Sequence, residues 1–198
     1  MEKPKVAVDS RKLSHEDTLK WIRSNRAWRR AWKTECISVR DLDADEIGKE
    51  FKTVDHAIEV AREGFWLCVG VEGEPWFQEP AKVERKYSET GEEETQFSFD
   101  ASKRRYRVFA PRPDIRNWAA QVKSPEFDGF FIRPNYDMEH PLYSPSGGYV
   151  VTADVADPYD PTLDDVWLVQ QSLFEKTYKT EKTERPSGEK HIPPATGR

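Results

Sequence analysis

Cysteine is nearly missing from this chain: Cys36 and Cys68 are the only two in 198 residues. Each sits in an apolar, strand-like setting, ECISV and FWLCVGV. A disulfide framework and a cysteine metal site therefore have no support, and both thiols are expected to be buried and structural. Histidine is scarce too, with four residues, and no two have metal-ligand spacing. No G-x-S-x-G nucleophile elbow occurs. No apolar run approaches membrane-spanning length, and the opening MEKPKVAVDSRK lacks the apolar stretch of a secretory signal. The expected compartment is a reducing cytoplasm, and neither a metal nor a cofactor is expected.

Aromatic residues and charge of both signs are abundant. The chain is 36% hydrophobic and 34% charged, with seven Trp, seven Tyr and ten Phe. That composition belongs to a globular protein with a heavily charged surface rather than a disordered one. The net charge of −5 argues against a surface given over wholly to nucleic acid, which leaves local basic clusters as the weaker nucleic-acid reading. The length suits one sizeable domain or two small modules sharing a core.

Residues 14–34, SHEDTLKWIRSNRAWRRAWKT, predict a helix, with Ser14 as cap and acids ahead of the basic remainder. On that helix Trp21, Trp28 and Trp32 fall on one face, to dock on a sheet, while the arginines stay solvated. A strand is expected at Cys36–Val39, then a short helix or turn in DLDADEIGKEF. A second helix, TVDHAIEVARE, is capped by Thr53 and stopped at Gly64, with Val54, Ala57, Ile58 and Ala61 as its buried stripe. FWLCVGVEGEPWF predicts two strands around a glycine turn, and SETGEEET (88–95) a charged loop. FSFDASKRRYRVFAPRP predicts two strands around a polar turn. Residues 115–122 are expected as a short helix, 129–134 as a strand, and YVVTADV with VWLVQ as the last hairpin. Ser172–Tyr178 predicts a short helix, and 179–198, which lack aromatics, a disordered tail.

The segments EPWFQEPAKVERKY and DVWLVQQSLFEKTY echo one another. Matching Trp76 with Trp167 also matches Phe77 with Leu168, Val83 with Phe174, Glu84 with Glu175, Arg85 with Lys176 and Tyr87 with Tyr178. The Trp-to-Tyr spacing is eleven residues in both. Upstream, Gly64-Phe65-Trp66-Leu67 aligns with Gly148-Tyr149-Val150-Val151. A duplicated supersecondary unit builds a common core. The expected fold is therefore α+β, mostly antiparallel sheet from two related hairpin-plus-short-helix modules, with the N-terminal helices packed on it. Residues 1–13 would be an extension and 14–178 a single domain, with modules at about 53–87 and 129–178.

The second module, Pro145-Ser146-Gly147-Gly148-Tyr149 followed by Val150-Val151-Thr152 and closing on Leu173-Phe174-Glu175-Lys176-Thr177-Tyr178, resembles small uncharacterised phage and bacterial proteins whose hallmark is a Pro-Gly-Asp-Tyr-Gly turn. The likeness covers roughly the last forty residues of the core. Here Gly148 stands where that motif has Asp, and an extra residue follows Pro145. The resemblance implies a bacterial or mobile-element setting and no mechanism.

Three stretches carry candidate chemistry. KRRYRVFAPRPDIR (103–116) gathers Arg105, Arg107, Arg112 and Arg116, whose planar forks suit phosphate. The competing reading pairs them with the acidic segment Glu89, Glu92, Glu93 and Glu94. NYDMEHPLYSPSGGY (135–149), preceded by Arg133, holds Tyr143 and places His140 among carboxylates, the chain's best acid–base candidate. DVADPYDPTLDD clusters five aspartates, Asp154, Asp157, Asp160, Asp164 and Asp165, without EF-hand spacing, and its prolines mark turns. The favoured function is a binding or adaptor protein recognising a protein partner or a phosphate-bearing ligand through Arg105, Arg107, Arg112, Arg116, Arg133 and Tyr143. The alternative is a small enzyme on an anionic, nucleotide-like substrate with His140 as acid or base.

Overall fold

Two seven-residue helices of nearly the same shape mark the architecture. Each begins after an extended residue, Glu79 or Gln170, and ends where Tyr87 or Tyr178 turns back to extended backbone. In both, the tyrosine N–H still donates to a carbonyl in the last turn, that of Val83 or Phe174. Pro80 opens the first, where its missing N–H costs nothing. Val83 and Phe174 are the buried helical residues.

A computed structural model describes residues 15–24, 28–53, 58–122, 129–133, 141–153, 158–159 and 166–181. The first half runs α1 (His15–Ser24), β1 (Arg29–Lys33), β2 (Ile37–Asp41), β3 (Glu50–Lys52), β4 (Ile58–Val60), β5 (Trp66–Val69), β6 (Pro75–Gln78), α2 (Pro80–Lys86) and β7 (Tyr87–Phe97). The second runs β8 (Lys103–Pro111), β9 (Asn117–Gln121), β10 (Gly129–Ile132), β11 (Leu142–Pro145), β12 (Tyr149–Thr152), β13 (Val166–Val169), α3 (Gln171–Thr177) and β14 (Tyr178–Thr180). The fold is α+β, with antiparallel sheets throughout.

A first five-stranded sheet has the order β6-β5-β2-β8-β7 and a second the order β13-β12-β9-β1-β14. Strand β1 thus lies in the second sheet and β8 in the first, so the chain crosses between sheets after β1 and returns after β8. Two-stranded pairs, β3-β4 and β10-β11, complete the topology. On one face of the first sheet Val83 packs with Val39, Cys68 and Tyr87, and on the second sheet Phe174 packs with Ala119, Val151 and Tyr178. The opposite faces are buried under Phe51, Phe65 and Phe99 on the first sheet, and under Ile22, Phe130 and Leu142 on the second.

Several expectations are corrected. The helix over 14–34 ends at Ser24, and Arg29–Lys33 is a strand held on both sides by β9 and β14. The four-residue spacing of Trp28 and Trp32 suits one face of a strand as well as of a helix, so pattern alone could not decide. Two sets of ladder hydrogen bonds did. The same tertiary override makes 117–121 a strand between β12 and β1 rather than a helix. Within the second expected helix, Ile58–Val60 pairs with β3, and 54–57 lie outside the described residues. The charged loop 88–95 is part of β7, and Lys179 and Thr180, expected in the tail, form β14. Cys68 is buried as expected, but Cys36 is exposed. Trp76 stands opposite Cys68 and Trp167 opposite Val151, and four residues before those partners lie Gly64 and Gly147. Both have positive φ, 79° and 95°, which favours glycine. Residues 1–13, the aspartate-rich loop at 154, 157, 160, 164 and 165, and 182–198 lie outside the described residues.

Strand β7 is an edge strand, exposed almost throughout from Ser88 to Phe97. An open edge invites pairing with other chains, and bulges and charges suppress it. Here a register break falls between Glu89 and Glu93, with Gly91 at φ 82° and Thr90 donating to the Val108 carbonyl at 3.0 Å. Glu92, Glu93 and Glu94 add like charge. Changing Glu92, Glu93 and Glu94 together to Thr is expected to leave the circular-dichroism spectrum unchanged and to produce concentration-dependent association, read by light scattering.

Candidate functional site

The arginines of 103–116 face neighbours of their own chain. Arg105 is ion-paired with Glu93 across the β7–β8 ladder. Arg107 lies 3.5 Å from Asp41 and 3.9 Å from Glu89, with its guanidinium 4.6 Å over the Trp66 ring. Arg112 Nε donates to the carbonyls of Glu84 (2.9 Å) and Tyr87 (3.2 Å). Arg116 donates to the Pro113 and Ile115 carbonyls and stacks 5.0 Å over Trp32. Exposed pairs of this kind contribute about 0–1 kcal/mol each. Their structural meaning is that these forks are occupied by protein groups.

Tyr143 on β11 packs at 4.7 Å against Phe131 of β10, ring planes tilted by 41°, and its ring lies so close to Gly129 that a Cβ there would collide with it. Arg133 follows β10, in the hairpin beside the second sheet, whereas Arg105 and Arg107 are on the first. His140 lies outside the described residues. Among the described residues no three of His, Cys, Asp and Glu gather as a metal site, and no helix is long and apolar enough to cross a membrane.

A groove of about 240 Å³ opens beside α3 on the second sheet. Strand β1 supplies Arg29, β9 Gln121, β12 Tyr149, α3 Glu175 and β14 Thr180, over a floor that includes Phe174. The Tyr149 ring stacks on Phe174 with centroids 3.7 Å apart and planes at 10°. Burial, and then the nearby Glu175 carboxylate, push the Tyr149 phenol above its ordinary value, with Arg29 opposing. It remains a protonated donor at neutral pH. Glu175 accepts from Gln171 Nε2 at 2.8 Å, and the Gln121 amide donates to the Gly147 carbonyl at 3.0 Å. Among the described residues, the Arg29 side chain has no ion-pair or hydrogen-bond partner. The volume is below the usual 300–1,000 Å³ of drug-sized sites and suits a compact guest.

None of the six ligand-binding residues expected from sequence lines this groove. Its own residues carry no local signal. Arg29 looked like one member of a basic helix, and only the pairing of β1, β9 and β12 brings it near Gln121 and Tyr149.

Sequence patterning also gave no hint of a buried ion pair. Arg40 (6% exposed) reaches Glu46 (0%) bidentately, Nη1 to Oε2 at 2.7 Å and Nη2 to Oε1, and Nη2 also donates to Ser98 Oγ at 2.7 Å. Glu46 accepts the Asp43 N–H at 2.8 Å, closing the turn after β2.

Comparison with known protein families, curated proteins and solved structures finds no match to this chain.

Proposed function

We propose that the chain is one structural unit written twice, β1–β7 and β8–β14, and that it is a binding protein whose groove beside α3 takes a compact oxyanion, phosphate-bearing in the first instance. The units correspond by ladder register. Lys33 opposes Tyr178 as Pro111 opposes Tyr87, and Arg29 opposes Ala119 as Arg107 opposes Val39. Arg29 therefore corresponds to Arg107, Gln121 to Asp41, Tyr149 to Trp66, Glu175 to Glu84 and Thr180 to Glu89.

One observation carries the functional reading. In the first unit the arginine is answered from within, by Asp41, Glu89 and the Trp66 ring. In the second the same place keeps the arginine and an aromatic ring, but the two acids are replaced by neutral Gln121 and Thr180. A ligand oxyanion supplies what the sequence has removed. Arg forks bind such groups bidentately, and the Tyr149 phenol adds a second donor.

The test is calorimetric titration with inorganic phosphate, adenosine monophosphate and succinate. Binding of at least one is expected. Arg29→Ala should weaken it by roughly 10-fold or more, the scale of a charge-assisted hydrogen bond, while Arg107→Ala leaves it unchanged. Gln121→Asp with Thr180→Glu should restore the internal acids and block the ligand. Binding of none of the three probes, or binding indifferent to Arg29, overturns the reading.

A further inference from the structure

The two sheets meet around Lys33, on the other side of Tyr178 from Arg29, and Tyr178 itself lines the α3 groove. Its ammonium lies 5.6 Å from the Trp76 ring centroid, 5.4 Å from Tyr87 and 5.7 Å from Tyr178. Across the same junction Lys86 sits 5.1 Å from the Trp167 centroid. Tyr87 and Tyr178 are 4% and 6% exposed, and neither buried hydroxyl has a hydrogen-bond partner. The Tyr178 hydroxyl faces Trp167 and Lys33 at a geometry short of a hydrogen bond, and Cys68 lies near both Lys33 and Tyr87.

The polar groups packed around Lys33 are proton donors, two phenols, a thiol and an indole N–H, while the carboxylates of Glu74 and Glu59, which act electrostatically on Tyr87 and Cys68, leave both phenol hydroxyls without a hydrogen bond. Among the described residues no carboxylate pairs with Lys33. Buried hydroxyls without partners destabilise a fold, so two beside one cation is an arrangement with a missing acceptor. Phenols can accept from one another and from the ammonium, but that still leaves a surplus of hydrogens over lone pairs. A water would accept two hydrogens and bring two more donors of its own. An anion brings acceptors alone and neutralises Lys33, which with Trp76 and Trp167 is only half-buried and so leaves a way in.

We infer that the junction between the two sheets is a binding site for one compact inorganic anion of halide size, held by Lys33, Tyr87 and Tyr178, and that its occupancy locks the sheets together. Tyr178 lines both this site and the α3 groove, but Arg29 and Tyr149, which would hold the groove's ligand, take no part here.

The experiment is thermal unfolding of the full chain in chloride against glutamate at equal ionic strength, where the bulkier anion cannot enter. Chloride should raise the midpoint by several degrees in a saturable way, as a ligand specific to the folded state does. Lys33→Met should abolish the chloride dependence, and Arg29→Ala should retain it, which separates this site from the groove. Tyr87→Phe with Tyr178→Phe should be neutral or stabilising in glutamate and destabilising in chloride. Should Lys33→Met fail to fold, crystals of the wild type grown in bromide provide the second measurement, with an anomalous peak expected among Lys33, Tyr87 and Tyr178. A midpoint indifferent to chloride, a dependence that survives Lys33→Met, or the absence of a bromide peak there overturns the inference.

Discussion

Replacing Arg40 with Ala is expected to destabilise the protein by about 3–5 kcal/mol, because it strands a charged carboxylate where no water reaches. Glu46 is fully buried and accepts from the two terminal guanidinium nitrogens of Arg40, Nη1 and Nη2. Glu46→Ala should cost a similar amount, leaving the guanidinium buried with Ser98 as its remaining side-chain hydrogen-bond partner. A total stability of about 5–15 kcal/mol leaves little after such a loss. The instructive control is the double change Arg40→Met with Glu46→Leu, which removes both charges and should recover most of the stability. Urea unfolding at neutral pH checks all three. The same pair sets an acid limb. Burial pushes the Glu46 carboxyl up, but the hydrogen bonds from Arg40 and the Asp43 N–H outweigh it and hold the group below the ordinary glutamate value. Its contribution is therefore complete above about pH 4.3, the unfolded value, and is lost as pH falls through the lower folded value. Glu46→Gln should flatten this limb in a stability-against-pH series. An acid limb as steep as that of wild type would count against this account.

The second large effect is expected at Phe174, where truncation to Ala should cost about 3–5 kcal/mol. Phe174 is the middle ring of three, 3.7 Å from Tyr149 and 4.7 Å from Tyr178, with planes at 10° and 6°. Losing it leaves both outer rings without the ring stacked between them and opens a cavity between α3 and β9. At the corresponding place in α2, Val83→Ala removes less volume and should cost less, at about 0.8 kcal/mol per methylene equivalent plus the cavity. Chemical denaturation with an unchanged slope would attribute each loss to the folded state. Phe174→Ala should also weaken any ligand of the groove, since the floor under Tyr149 goes with it.

Hairpins and short helices were legible because their signals are local. The short apolar runs in FWLC and YVVT, the turn glycines and the Trp-to-Tyr spacing each lie within about a dozen residues. What escaped was set by partners far along the chain. Arg29–Lys33 and Asn117–Gln121 pattern acceptably as helix, and each is a strand because two neighbours on the sheet hold it there. The acid-rich segment after Tyr87 looked like a loop because glutamates disfavour strands, yet opposite Arg105 and Arg107 those glutamates gain ladder and charge partners. The buried Arg40–Glu46 pair has no pattern at all, since a charged residue in a turn normally means solvent. The groove was missed for a related reason. The arginines counted as candidates, Arg105, Arg107, Arg112 and Arg116, are those with neighbouring partners in sequence and in space, while Arg29 stood among other basic residues in an expected helix.

The placement of β1 between β9 and β14 has a consequence for synthesis. Lys33 and Tyr178 are ladder partners, so the second sheet spans nearly the whole described chain. On the ribosome the first sheet could acquire its strands once β8 has emerged, yet β1 finds its first ladder partner only with β9, and its other edge stays open until residue 180 is made. Contacts of such sequence separation are slow to form. The N-terminal strand is therefore the part most in need of protection before release, and the final strand acts as the latch whose arrival ends that exposure.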